Sequence, residues 1–298
     1  MTCILALENG NIFDTVKVTD IVNKSYGSGI YISVGEEITL KDLLYGLMLR
    51  SGNDAALMIS EYISGSVEEF VSLMNEKAKK IGMTNTIFYN PSGLDNDIGN
   101  LSTAYDMALL TSYAMQNEIY KEIVSTKKYT SKTNLKTYIW HNKNKLLNYD
   151  YITGGKTGYT EKARRTLVST ASKDNMNFVV VTIKDSDDWN THLSLYNYAF
   201  DNYYSVKILD KKHYNLQDKN YDNLYIKEDA YITLKKNEKK TLINHIELDY
   251  KKTYLSGQRV GTNNIYLGDE LIYQGEIYAK KKHSKETIFD KIRKWLND

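Results

Sequence analysis

The hydrophobic pattern of this 298-residue chain changes its period partway along, and that change restricts the fold more than any other feature. Helical spacing comes first. Thr39-x-x-Asp42 has the form of a capping box and is followed by Leu40, Leu43, Leu44 and Leu47 on one face. This stripe stops at Ser51-Gly52-Asn53 and resumes with Ala55, Ala56, Ile59, Tyr62 and Ile63, so the triplet is predicted to form a corner between two buried helices. Ser66-x-x-Glu69 opens a further helix through Phe70, Met74, Ala78 and Ile81, closed by Gly82. Asn90-Pro91-Ser92-Gly93 reads as a turn, and Thr103-x-x-Asp106 starts a helix through Leu109, Leu110 and Met115.

From about Tyr149 the signal becomes that of strands: Thr153 to Tyr159, Thr166 to Ala171, and Phe178 to Ile183. The last two are joined by Lys173-Asp174-Asn175, a link too short for anything but an antiparallel pair. Asp188 is placed to cap one more helix through Trp189, Leu193, Tyr196 and Phe200. Helices, then consecutive strands, then a helix packing back predict an α+β fold, an antiparallel sheet flanked by helices.

Length and composition narrow the class. A chain of this size calls for one large domain and a smaller one. Beyond Tyr204 come a polar stretch and short alternating runs, Ala230 to Leu234, Asn264 to Leu267 and Glu270 to Ala279, so residues 205–282 are expected to form a small β-rich domain. In residues 283–298, Ile288, Phe289, Ile292, Trp295 and Leu296 share one helical stripe with lysines outside it, an amphipathic helix suited to peripheral membrane contact or to packing on its own domain. No apolar run is long enough to span a bilayer. A formal net charge of +2, from 39 basic and 37 acidic residues spread along the chain, gives no electrostatic case for nucleic acid. The single cysteine, Cys3, lies in an apolar run and reads as a small buried hydrophobe. No histidine spacing suggests a metal, and His141 and Trp140 receive no role.

Two tripeptides carry chemistry only as a pair. Ser51-Gly52-Asn53 at an interhelical corner is followed, past a helical region, by Lys156-Thr157-Gly158 on a strand. Penicillin-binding proteins and class A β-lactamases are marked by Ser-x-x-Lys, Ser-Asp-Asn and Lys-Thr-Gly, and Ser-Gly-Asn is a variant of the second. With these residues, and with Leu5 to Gly10, Leu49 to Ala56, Asn90 to Asp95 and Gly155 to Thr160, the chain resembles the serine D-alanyl-D-alanine carboxypeptidases, the low-molecular-mass penicillin-binding proteins. The resemblance covers residues 1–204, taken as the D,D-peptidase catalytic domain, and more loosely the β-rich domain.

The resemblance implies the penicillin-recognising D,D-peptidase fold, a peptidoglycan stem peptide as substrate, β-lactams as inhibitors, no cofactor, and a place on the outer face of the bacterial envelope. It implies that Ser51 relays a proton toward the departing D-alanine and that Asn53 orients the catalytic lysine and the substrate carbonyl. Lys156 and Thr157 would meet a terminal carboxylate. Gly158 would let the strand approach without a Cβ in the way, and the Tyr159 N–H would serve as one oxyanion donor. Arg164 and Arg165, following the Lys-Thr-Gly strand, could assist carboxylate recognition but read more readily as solvated arginines.

One family motif is missing. Ser-x-x-Lys is expected a few residues before the segment matching Met1 to Gly10, and the apolar run from Thr2 lacks a turn that would cap it, which predicts a truncated or misassigned start. No signal peptide opens the chain as written. The Ser-x-x-Lys string that does occur, Ser125 to Lys128, follows Ser-Gly-Asn and breaks the family order. The polypeptide is therefore expected not to acylate, leaving a binding remnant as the alternative to the carboxypeptidase, with a D,D-endopeptidase open on the same groups. The Glu-x-x-Leu-Asn segment of class A β-lactamases is absent.

Overall fold

The computed structural model describes every residue except 96–97, 215, 222, 236–237, 250–253 and 281–298. The amphipathic helix expected over 283–298 thus lies outside the described residues. The chain divides into two compact units, Met1–Lys173 with Asn177–Asp201, and Asp174–Met176 with the chain from Asn202.

The first unit is built on a helical core. α1 (Thr2–Asn9), α2 (Leu40–Arg50), α3 (Asn53–Ser64), α4 (Val67–Lys80), α5 (Ala104–Ala114) and α6 (Glu118–Ser125) carry most of it. The caps predicted at Thr39, Ser66 and Thr103 are made. Thr39 Oγ1 accepts from Asp42 N at 3.0 Å, Ser66 Oγ from Glu69 N at 3.1 Å, and Thr103 Oγ1 from Asp106 N at 3.1 Å. Each is worth about 1 kcal/mol. The stripes behind the caps fill one core, in which Leu40, Leu43, Leu44, Ile59 and Phe70 are fully buried. Cys3 is buried within α1, and desolvation pushes its thiol up to about 12, so it packs and does not react.

Gly10 corrects the sequence reading. Asn9-Gly10 reads as a helix stop suited to left-handed backbone, yet Gly10 is extended, with φ −117°. The glycine is required because a Cβ there would press on Ile63 Cδ1 and Leu40 Cδ2, both 2.7 Å away. Close helix packing, not backbone handedness, selects it.

Two short antiparallel pairs frame these helices: β1 (Thr15–Lys17) with β2 (Glu37–Thr39), and β3 (Lys128–Lys132) with β4 (Thr137–His141). The main sheet has the order β5 (Ile152–Thr160), β6 (Arg164–Lys173), β7 (Met176–Ile183), with β5 at one edge. β5 and β6 run antiparallel, pairing Lys156 with Val168, Thr157 with Leu167 and Tyr159 with Arg165. Between β6 and β7 the turn residues Asp174 and Asn175 have φ of 53° and 60°, the two positive angles of a type I′ hairpin.

α7 (Asp188–Asn202) packs on this sheet through a buried polar network. Ser169 Oγ lies 2.6 Å from His192 Nδ1 and 2.7 Å from Tyr196 OH, and His192 Nε2 is 3.1 Å from Thr182 Oγ1. Burial drives His192 down to about 4, so the ring is neutral and ties α7 to both β6 and β7. Asp188 was read as the cap of this helix, but it lies within the first turn and pairs with Arg165 Nη2 at 2.5 Å. Arg165 in turn sits over the Trp189 ring, so it is not the solvated arginine expected.

The second unit is β-rich. β8 (Tyr203–Leu209) pairs antiparallel with β10 (Ala230–Lys235), and a four-stranded sheet has the order β11 (Leu242–Leu248), β12 (Gln258–Leu267), β13 (Glu270–Ala279), β9 (Leu224–Tyr225). β12 starts well before the alternation read from Asn264. Val260 to Ile265 are buried without interruption, and Asn263 Nδ2 satisfies its burial by donating to Asn244 Oδ1 at 2.6 Å.

Candidate active site

α2 ends on Ser51, whose φ of 60° and ψ of 44° are left-handed. A non-glycine residue there costs about 1–2 kcal/mol, and the turn it makes redirects the chain straight into α3. Gly52 is the N-cap of α3 and provides no side-chain cap, so neither Ser51 nor Asn53 spends its polar groups on the helix. Both face a cleft of about 1180 Å³ that is also lined by Ser28, Lys143, Lys156 and Thr157.

Across the cleft, β5 presents Lys156. Its Nζ donates to Ser51 Oγ at 2.5 Å and to the Thr157 carbonyl at 2.6 Å. Two of the three ammonium protons are thereby used. Burial first, and the Lys143 charge second, bring Lys156 down to about 7, where an amine both holds and gives up a proton at neutral pH. The Ser–Lys contact joins the two tripeptides, 105 positions apart in sequence.

Asn53 is buried and pinned: its N–H donates to Ser28 O at 2.9 Å and its Nδ2 to Tyr26 O at 2.7 Å. Its amide oxygen makes no hydrogen bond among the described residues. Thr157, Gly158 and Tyr159 all line the cleft, the last with 61% of its surface exposed. β5 is a sheet edge, so alternate N–H groups along it point away from β6, as an oxyanion donor must. At Gly158 a Cβ would collide with the Thr166 hydroxyl on β6. The missing side chain relieves crowding within the sheet, where the sequence reading assigned it to approach by the strand.

Four contributors escaped the sequence reading. Tyr26 and Ser28 belong to a loop that brackets Asn53, with Gly27 at φ 77°. Asp54 holds that loop, accepting from Ile30 N at 3.0 Å and Tyr31 N at 2.6 Å, and from Ala55 N at 2.9 Å. Lys143 follows β4, and its Nζ donates to Ser28 Oγ at 3.3 Å. The available signals were the two glycines around Ser28 and the asparagines flanking Lys143. Asn142 Nδ2 donates to Thr126 O at 3.0 Å, and Asn144 Oδ1 accepts from Leu146 N at 3.1 Å, so both fix the loop. Ser125, from the misplaced Ser-x-x-Lys string, ends α6 with its hydroxyl on Glu122 O at 3.1 Å and does not line the cleft. His141, given no role, is exposed, and Trp140 is buried in the helical core.

Known proteins resemble this chain in sequence and fold. Residues 1–187 match the D-alanyl-D-alanine carboxypeptidase family, and residues 204–285 match the C-terminal domain of penicillin-binding protein 5. D-alanyl-D-alanine carboxypeptidase DacF of Bacillus subtilis is 31% identical over 312 residues, spanning 98% of this chain and 79% of the relative. A D-alanyl-D-alanine carboxypeptidase of Streptomyces sp. is 36% identical over 192 residues, 58% of this chain and 66% of the relative. Among solved structures, the D-alanyl-D-alanine carboxypeptidase DacD from Francisella tularensis matches with a TM-score of 0.67 at 25% identity, covering 94% of this chain and 85% of that one. With the site geometry and these matches together, the chain belongs to the D-alanyl-D-alanine carboxypeptidase family of penicillin-binding proteins.

Proposed function

We propose that the cleft binds the D-alanyl-D-alanine end of peptidoglycan stem peptides, and β-lactams that imitate it, at the bacterial cell envelope. The observation that carries this reading is the contact between Lys156 Nζ and Ser51 Oγ. A hydroxyl hydrogen-bonded to an amine near neutrality is a two-way proton relay, which the departing D-alanine amine requires. Asn53 supplies an amide for the substrate's peptide carbonyl, Thr157 a hydroxyl for its terminal carboxylate, and the Tyr159 N–H one donor for the oxyanion. This is the machinery of a serine D,D-carboxypeptidase apart from its nucleophile.

A polypeptide of these 298 residues alone is expected to hold such ligands without turning them over. Ser28, Ser51, Ser92 and Ser102 line the cleft, and none is followed three residues later by a lysine. Removing the serine from a concerted site costs on the order of a millionfold in turnover, beyond what the remaining groups restore. Intact-mass spectrometry after incubation with benzylpenicillin tests this, together with calorimetric titration of diacetyl-L-Lys-D-Ala-D-Ala. The expected result is reversible peptide binding with no mass gain. A single-site penicilloyl adduct would refute the absence of turnover, and failure to bind either compound would refute the recognition itself.

A further inference from the structure

Three strand ends meet at one end of the four-stranded sheet in the second unit. Asn223 lies just before β9, Lys280 just after β13, and Ser256 and Gly257 just before β12. The register brings them together, since Ala279 pairs with both Leu224 and Gln258. With Tyr225 they line a cavity of about 430 Å³. That is large enough for a small ligand, for which sites of roughly 300–1,000 Å³ are usual.

The backbone around this cavity is already bonded. Lys280 N donates to Asn223 O at 2.9 Å, Gly257 N to Ala279 O at 2.7 Å, and Leu255 N to Gln258 Oε1 at 2.9 Å. The side chains are not. The Asn223 amide, the Ser256 and Tyr225 hydroxyls and the Lys280 ammonium make no hydrogen bond or ion pair among the described residues. Amides and hydroxyls both donate and accept, whereas a phosphate or carboxylate only accepts. A site for such an anion gathers several cations or free backbone N–H groups. Here the neighbouring Lys227 is held over the Tyr278 ring, 3.9 Å from its centre, and Gly257 N–H is spent on a carbonyl. An apolar ligand would strip water from four polar groups and return nothing. A sugar suits the lining: its hydroxyls donate and accept in turn, and its C–H face carries the slight positive charge that the face of a tyrosine ring attracts.

We propose that this cavity binds a glycan, a short run of N-acetylated amino sugars such as carries the stem peptides. Tyr225 lies against a sugar ring, and Asn223, Ser256 and Lys280 bond its hydroxyl and acetamido groups. The site belongs to the second unit alone and does not depend on the recognition put forward for the cleft. Its consequence is tethering. A weak hold on the glycan keeps the chain on a polymer that presents many stem peptides, which raises their effective concentration without any further contact in the cleft.

The test is saturation-transfer NMR and calorimetric titration of the full chain with chitotetraose, a β-1,4-linked run of N-acetylglucosamine. The expected result is saturable binding, weakened about tenfold in Tyr225→Ala through loss of the stacked ring and by a smaller factor in Asn223→Ala and Lys280→Ala. Asn223 and Lys280 are exposed, so their variants are expected to fold, and an unchanged denaturation midpoint checks this. Affinity for diacetyl-L-Lys-D-Ala-D-Ala is expected to be the same in all four proteins. Absence of chitotetraose binding, binding undiminished in all three variants, or displacement of the sugar by inorganic phosphate overturns the proposal. Chitotetraose bound by a chain that fails to bind the peptide supports it and counts against the cleft reading alone.

Discussion

Replacing Lys156 by methionine should remove a pH dependence of stability that the fold imposes. An unfolded lysine keeps its proton up to 10.5, and the folded one releases it at about 7. Between these values the unfolded state binds more protons, so stability rises with pH, and the cost of burying the charged amine is fully present below about 7 and gone above 10.5. The gap corresponds to a ceiling of about 5 kcal/mol at ~1.4 kcal/mol per pH unit. Lys156 retains some contact with solvent, and screening reduces that ceiling to about 2–3 kcal/mol. Guanidinium denaturation at several pH values, followed by the fluorescence of Trp140 and Trp189 in the first unit, measures it. Other titrating groups are common to both proteins and cancel in the difference. Methionine also forfeits the bonds to Ser51 and Thr157, but that loss is a constant offset. The unsubstituted protein should gain about 2–3 kcal/mol relative to Lys156→Met between pH 7 and 10. Parallel stability curves over that range would show that Lys156 is not desolvated as described, and the relay would lose its physical basis.

Two further substitutions probe the supports of the cleft. Asp54→Ala strips the acceptor from the N–H groups of Ile30, Tyr31 and Ala55, and at about 1–3 kcal/mol for each orphaned donor should cost roughly 3–5 kcal/mol after relaxation. Asp54→Asn, which keeps an acceptor, should cost less than half of that, and equal effects in urea denaturation would contradict the role of the carboxylate. Arg165→Met leaves Asp188 buried without its partner and should destabilise by about 1–3 kcal/mol, with most of the loss recovered in Arg165→Met/Asp188→Asn. A double variant no more stable than the single one would exclude an unpaired charge as the cause.

What was legible in the sequence followed from local rules. The caps at Thr39, Ser66 and Thr103 bond to backbone three residues ahead, so four residues of sequence contain the whole interaction. The strands from Ile152 to Ile183 were legible for a similar reason, since runs of strand-forming residues and the short link Lys173-Asp174-Asn175 are short-range signals. What stayed hidden depends on distant partners. The hairpin of β3 and β4 has few buried side chains of its own, and its strongest packing is Tyr129 stacked on Tyr45 at 3.6 Å, a contact made across 84 positions. Lys143 looked like one of many solvated lysines until the fold brought Ser28 against it. Gly10 and Gly158 were recognised as glycines with a purpose, but the purpose was close packing in the one case and an adjacent strand in the other.

The left-handed backbone at Ser51 has an evolutionary corollary. Branching at Cβ is poorly tolerated in that conformation, so threonine, the obvious hydroxyl-bearing substitute, is disfavoured there although its chemistry would serve. Neighbouring sequences that exchange this serine should therefore turn to asparagine, aspartate or glycine, surrendering the alcohol before they surrender the bend. The bend between the two helices is expected to constrain this position more tightly than the hydroxyl does.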